Sequence, residues 1–329
     1  MTWFSDLTGI AIETPQSVRD LLSVEGTTLV STATARRAEI GTLTTPSLAE
    51  LRAETLPENG PATLTECVAD IQFLHRDPNH AGALFQVASQ FNLLEMIAPS
   101  VRPEDGVTRY ADDPTQGPAC AVACGAGTIY RTYFHPVRGG LGQSADRQID
   151  CLADIGAALN NDQNGYWVMQ NGYALSTAGG LAALNNVLAP MSDVQLDALR
   201  AKLRVGIQEG TEVTLAGAGH CVTQVYCSAL PVAYSPHGHD HWQAFAKLVL
   251  EAAYEATMLS AVKNAQHTGN NRVFLTMLGG GAFGNKNAWI VDAMLRALRM
   301  VRSVDLDISI VSYGQSSPAA REVIDRFNG

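Results

Sequence analysis

The chain has 329 residues, of which 46% are hydrophobic and 16% charged. That composition supplies ample core and excludes a disordered protein. The 22 Lys and Arg stand against 32 Asp and Glu, a net charge of −10, which argues against a general nucleic-acid or anionic-membrane binder and, at first sight, against any phosphate ligand. No apolar run reaches the roughly 18 residues of a membrane-spanning helix. The N-terminus has no basic segment leading into an apolar one, so the chain is expected to be cytoplasmic. An exported effector with a non-classical signal would read the same. Cys67, Cys120, Cys124, Cys151, Cys221 and Cys227 form no C-x-x-C pair, so reduced thiols are expected.

Residues 1–60 are rich in Thr and Ser and carry Pro15, Pro46 and Pro57. They read as an accessory segment, with a strand at Thr28–Ser31 and a helix at Ser47–Glu54 opened by the capping-box spacing Ser47-x-x-Glu50. Residues 61–329 read as one domain in which strands alternate with helices. Strands are expected at 83–88, 166–175 and 222–230, and a small-residue helix over 119–134 starts just past Pro118. An amphipathic helix over 242–264 buries Phe245, Val249, Ala252, Ala256 and Leu259. The apolar strand 272–278, a glycine turn, a helix over 286–302 and a strand over 306–313 complete an α/β pattern. The fold expected is an α-β-α sandwich of three layers around a mixed, largely parallel sheet.

Two strand–loop–helix units carry the polar chemistry. The turn Gly279-Gly280-Gly281-Ala282-Phe283-Gly284 has the glycine spacing of a dinucleotide loop, after a strand and before a helix, where backbone N–H groups and a helix N-terminus can hold a diphosphate. A dehydrogenase of the Rossmann type places that loop in its first unit, whereas this one is in the last, and Asp305 and Asp307 come at the start of the following strand. Phe283 inside the loop suggests stacking on a sugar or base. In the second unit, strand 83–88 ends in Ser89, Gln90, Asn92 and Glu95. An acidic loop with Glu104, Asp105, Asp112 and Asp113 follows, then Thr115-Gln116-Gly117-Pro118 at the helix start. Two such loops on one sheet edge form a crevice suited to a ligand.

These residues resemble the macrodomain family of ADP-ribose binders and hydrolases. Asp70-Ile71, the strand ending in Asn92, the loop 279–285 and the closing helix and strand follow the family's order over residues 65 to 315, with long insertions such as 77–82. The stretches 85–96 and 115–121 look most like a divergent, arginine-specific branch of macrodomain ADP-ribosylhydrolases, which uses loop aspartates. Two departures stand out. Ser89-Gln90-Phe91-Asn92 replaces the usual Asn-Ala-Ala-Asn, and Gly117-Pro118 follow Gln116 where poly(ADP-ribose) glycohydrolases carry paired glutamates.

The resemblance implies hydrolysis of the N-glycosidic bond between ADP-ribose and an arginine side chain, through an oxocarbenium-like transition state. Asp105, Asp112 and Asp113 match the catalytic aspartates as candidates. Asp70 would accept from the adenine amino group. Backbone N–H groups of Gly280, Gly281, Ala282, Phe283 and Gly284 would hold the diphosphate, Phe283 would stack on the distal ribose, and Asn92 and Gln116 would hydrogen-bond the ribose; Ile71, Gln90, Gly117 and Asn285 are further ligand-binding candidates. The expected partner is ADP-ribose or an ADP-ribosylated protein, with no cofactor, metal, nucleic acid or membrane. The oligomeric state stays open. A non-catalytic ADP-ribose reader and an NAD-dependent oxidoreductase are the alternatives. His237-Gly238-His239-Asp240-His241 has the look of a metal motif but precedes a helix that Asp240 is expected to cap. Cys120 and Cys124 read as small buried thiols.

Overall fold

The computed structural model describes residues 2–53 and 56–329. Seven strands make the central sheet: β1 (Thr42–Thr44), β2 (Thr63–Val68), β3 (Leu84–Ala88), β4 (Gly206–Glu212), β5 (Cys221–Cys227), β6 (Arg272–Leu275) and β7 (Asp307–Ser312). Their order across the sheet is β1-β4-β5-β3-β6-β7-β2. The pairs β1/β4 and β4/β5 are antiparallel, and the four pairs from β5 to β2 are parallel. The sheet is thus mixed and largely parallel, as expected. All five parallel strands bring their C-terminal ends to one edge.

Six helices matter for the site: α1 (Ile71–Arg76), α2 (Gln116–Ala123), α3 (Gly125–Ile129), α4 (His239–Thr268), α5 (Asn287–Met300) and α6 (Pro318–Asn328). Successive residues of β3 show the layering. The Phe85 ring stacks on His75 of α1 at 3.8 Å, while the next side chain, Gln86, donates from Nε2 to Thr257 of α4 at 3.0 Å. Adjacent strand residues point to opposite faces, so α1 and α4 cover opposite sides of the sheet. Because both faces are covered, Leu84, Phe85, Gln86 and Val87 are all buried. This is the three-layer α/β sandwich.

Several elements differ from the expectation for identifiable reasons. The helix expected over 119–134 begins at Gln116 and breaks at Cys124 (φ −110°, ψ 58°). The Gly125 N–H is taken by Thr214 Oγ1 at 3.0 Å, which removes it from the helical ladder. A π-helical turn over Tyr130–Phe134 ends the segment. The strand expected over 166–175 is a hairpin, Val168–Gln170 against Tyr173–Leu175. Asn171 (φ 46°) and Gly172 (φ 81°) form its two-residue turn, the sequence pair that favours such a turn most strongly. The N-cap of α4 is Gly238, and Asp240 lies in the first turn.

Residues 22–25, 28–31 and 37–39 form a small antiparallel sheet. It packs with Phe4, Leu7 and Ile10 into a second apolar cluster that also takes in Val107, Tyr110, Ile129 and Tyr133. From Thr42 onward the chain is part of the main sheet, since β1 is its edge strand. The helix expected from Ser47 runs over Leu48–Leu51 with its capping box formed; the far end of that expectation, Glu54, lies outside the described residues. Among the described residues no helix is long and apolar enough to cross a membrane.

Candidate functional site

A cleft opens along the C-terminal edge of the parallel strands, in two adjoining chambers. The first lies beside the 279–284 loop and holds about 770 Å³ with its open mouth; Gln90, Glu95, Tyr173, Tyr234 and Phe283 are among its walls. The second lies beside β7 and α1 and holds about 1370 Å³ on the same basis, walled by Asp70, Ile71, Tyr110 and Tyr313 among others. Asp113, Gln116, Thr276 and Met277 line both chambers, so the two adjoin across these four residues and together make the groove. Neither lining set contains a Lys or an Arg.

The 279–284 loop takes its shape from two glycines at positive φ, Gly279 (+74°) and Gly284 (+69°). A Cβ on Gly279 would strike Ala229, whereas one on Gly281 would meet nothing within 4 Å. Gly281 therefore borders open cleft. Asn285 locks the loop from below, donating from Nδ2 to Leu230 O at 2.9 Å and Gly279 O at 3.2 Å. Gly280 N–H is used by Met277 O. Among the described residues the amides of Gly281, Ala282 and Phe283 have no backbone acceptor, so they remain free for an anion. The Phe283 ring sits 5.4 Å from Tyr173 and 5.6 Å from Tyr234, an aromatic wall from three separate segments.

Opposite this loop stands Glu95. Its side chain is buried, lines the groove, and leaves Oε1 without a hydrogen bond. Its own N–H donates to Tyr110 Oη at 3.1 Å. Burial pushes the carboxyl up to about 8; the Arg131 guanidinium opposes the shift, and Asp113 adds to it. Glu95 is therefore a neutral acid at neutral pH, the state required of a proton donor. Gly117 makes room for it: a Cβ there would collide with the Ala88 carbonyl and the Glu95 carboxyl. Gln116 fixes the start of α2 against the strand end, accepting from Ala88 N–H at 2.9 Å and donating to Gln86 O at 2.7 Å.

Of the residues expected from the sequence, the groove brings together Asp70, Ile71, Gln90, Asp113, Gln116, Gly117, Gly281, Ala282 and Phe283. Gly280, Gly284 and Asn285 support the loop from outside the lining. Asn92 lies elsewhere. It is fully buried, donates to Gln148 Oε1 at 2.9 Å and accepts from Leu94 N–H at 3.1 Å, so it shapes the 90–96 turn. The acidic loop is dispersed as well. Glu104 accepts from Ala145 N–H and Asp105 from Arg102 N–H at 2.9 Å. Asp112 is exposed and outside the groove, while Asp113 accepts from Thr115 N–H and Oγ1–H and faces both chambers.

Sequence reasoning named Glu95 as polar but gave it no role. The available signal was an acid set within the apolar run Leu93-Leu94-Glu95-Met96-Ile97, where a carboxyl must be buried and perturbed. Tyr173 and Tyr234 carried no such signal. Asp305 and Asp307 belong to the N-terminal end of β7, the far edge from the groove; Asp305 accepts from Asn271 and Asp307 pairs with Arg272. Cys120 and Cys124 are fully buried, and burial pushes both thiols up, away from nucleophilic use. Among the described residues no group of His, Cys, Asp and Glu is arranged to hold a metal ion. His239 instead meets the Gly284 carbonyl at 3.0 Å.

No protein family's sequence profile matches the chain, and no curated protein matches it. Among solved structures, it is similar to poly(ADP-ribose) glycohydrolase from Thermomonospora curvata, with a TM-score of 0.45 and 11% identity over 95% of this chain and 96% of that one. It is also similar to poly(ADP-ribose) glycohydrolase from Deinococcus radiodurans in complex with ADP-ribose, with a TM-score of 0.45 and 13% identity over 87% of this chain and 92% of that one. At this level of likeness no function carries over from either protein.

Proposed function

We propose that the protein is an ADP-ribosylhydrolase that removes ADP-ribose from a protein side chain, with arginine as the acceptor. The observation that carries this reading is the pair of adjoining chambers with a different recognition element in each. Asp70 and Ile71 stand in one chamber, the glycine loop and a buried neutral acid in the other. An elongated nucleotide fits that arrangement, with adenine at Asp70, diphosphate at the loop amides and the distal ribose between Phe283 and Glu95. The absence of Lys and Arg from the lining is consistent with it, because loop amides and helix N-termini supply the positive potential.

The two carboxyls of the groove divide the chemistry. Asp113 lies where it can receive a guanidinium by charge-assisted hydrogen bonds and take a proton from the attacking water. Glu95 holds the proton that the departing nitrogen needs. The water oxygen bonds to the anomeric carbon as its bond to nitrogen breaks, and the released arginine leaves with the Glu95 proton. The lining favours a cationic acceptor over an acidic one, since its titratable carboxyls are Asp70, Glu95 and Asp113 and it holds no Lys or Arg. Asp105 and Asp112, placed outside the groove, are not assigned a step.

Calorimetry with free ADP-ribose tests the binding half. Wild-type protein should bind it, and Gly281→Val should weaken binding at least about tenfold while folding normally, because its side chain enters open cleft. Equal affinity in the two proteins would remove the loop from the site. Binding without any release of ADP-ribose from modified protein would make the chain a reader.

A further inference from the structure

We infer that Glu13 of the N-terminal segment is a positioning residue for the catalytic groove, acting through the loop 102–113. This deepens the reading above and rests on it only for the chemistry of the groove. The Glu13 carboxylate reaches across the chain to three donors: Val107 N–H on Oε1 at 2.8 Å, Thr108 N–H on Oε2 at 2.7 Å and Tyr133 O–H on Oε1 at 2.6 Å. Two successive backbone amides on the two oxygens of one carboxylate fix the loop's orientation as well as its distance. Gly106 permits the approach: it has φ +87°, and a Cβ there would sit 2.6 Å from Glu13 Oε2. Trp3 adds a second tie, donating from Nε1 to Thr108 O at 3.1 Å.

The clamped residues lead directly to the groove. Thr108 begins the 3₁₀ turn Thr108–Asp112, and Tyr110 N–H donates back to Val107 O at 3.0 Å. The Tyr110 hydroxyl accepts the Glu95 N–H, its side chain borders the chamber beside β7, and its carbonyl accepts Asp113 N–H at 3.3 Å. One turn of chain thus joins Glu13 to the backbone of both acids of the groove, Glu95 and Asp113. The N-terminal segment thereby serves the site as well as the fold.

The test compares hydrogen–deuterium exchange, ADP-ribose affinity and turnover in wild type, Glu13→Ala and Glu13→Gln. Arg37→Ala, which removes only the exposed pair with Glu25, is the control. In Glu13→Ala, exchange at Val107 and Thr108 should rise about tenfold or more, as loss of charge-assisted hydrogen bonds implies. Exchange at Glu95 should rise with it, and kcat should fall more than affinity does. Glu13→Gln keeps one acceptor oxygen and should fall between wild type and Glu13→Ala. Faster exchange confined to residues 107–108, with Glu95 exchange and kcat as in wild type, would overturn the inference. So would unchanged exchange throughout. If wild type neither binds nor cleaves, the functional reading fails while exchange at Glu95 still decides the role of Glu13.

Discussion

Glu95 ties sequence, packing and chemistry together at a single residue. Its carboxyl is neutral in the folded protein up to about pH 8, against an ordinary value of 4.5, because burial outweighs the field of Arg131. The folded state therefore binds a proton that the unfolded chain releases. The stability this contributes is fully present below pH 4.5 and is lost as the pH rises through about 8. Glu95→Gln, which stays neutral throughout, should match wild type near pH 4.5 and exceed it in melting temperature at pH 8. Thermal unfolding across that range checks this, and parallel curves would show that Glu95 is not buried as described. Gly117→Ala is the complementary substitution. Its methyl group has nowhere to go between Ala88 and Glu95, so it should cost about 1–3 kcal/mol of stability, typical of overpacking, together with the activity.

Among the elements, α1 has its own pH dependence. His75, fully buried in α1, places Nδ1 2.8 Å from Ile71 O and Nε2 3.0 Å from Gln224 Nε2. Burial pulls its ring down to about 4 from an ordinary 6.5, so the folded state holds it neutral. That stability is present above pH 6.5 and is lost as the pH falls through about 4. His75→Gln should flatten this acid loss in unfolding curves between pH 6.5 and 4, and an unchanged curve would contradict it. Elements with strong local patterns were legible in the sequence: β7, α5, the strand at Thr28–Ser31 and the capping box at Ser47. The break at Cys124 was not, because it depends on Thr214, remote in sequence. The hairpin over 168–175 was read as a single strand, because the apolar residues on either side of Asn171-Gly172 masked the turn between them.

Across the whole molecule, burial of charge is confined to a few organised places. Glu255 of α4, only 1% exposed as a side chain, joins Arg52 and Arg296, and both arginines also reach Asp197. This network ties the segment before β2 to the helical layer. Glu255→Ala leaves two arginines without their buried partner and should cost about 3–5 kcal/mol, measurable by denaturant unfolding. The net charge of −10 first argued against a phosphate ligand; the groove offers backbone amides in place of basic side chains, which no composition reveals. The acidic loop was legible, but its dispersal was not, since Glu104 and Asp105 are drawn away by Ala145 and Arg102. The most direct test of the central claim is release of ADP-ribose from an arginine-modified protein by wild type, Glu95→Gln and Asp113→Asn. Wild type should turn over, and each variant should lose about 10²–10⁴-fold in kcat, the usual worth of a general acid or base, while still binding free ADP-ribose. Undiminished turnover by Glu95→Gln would contradict the account.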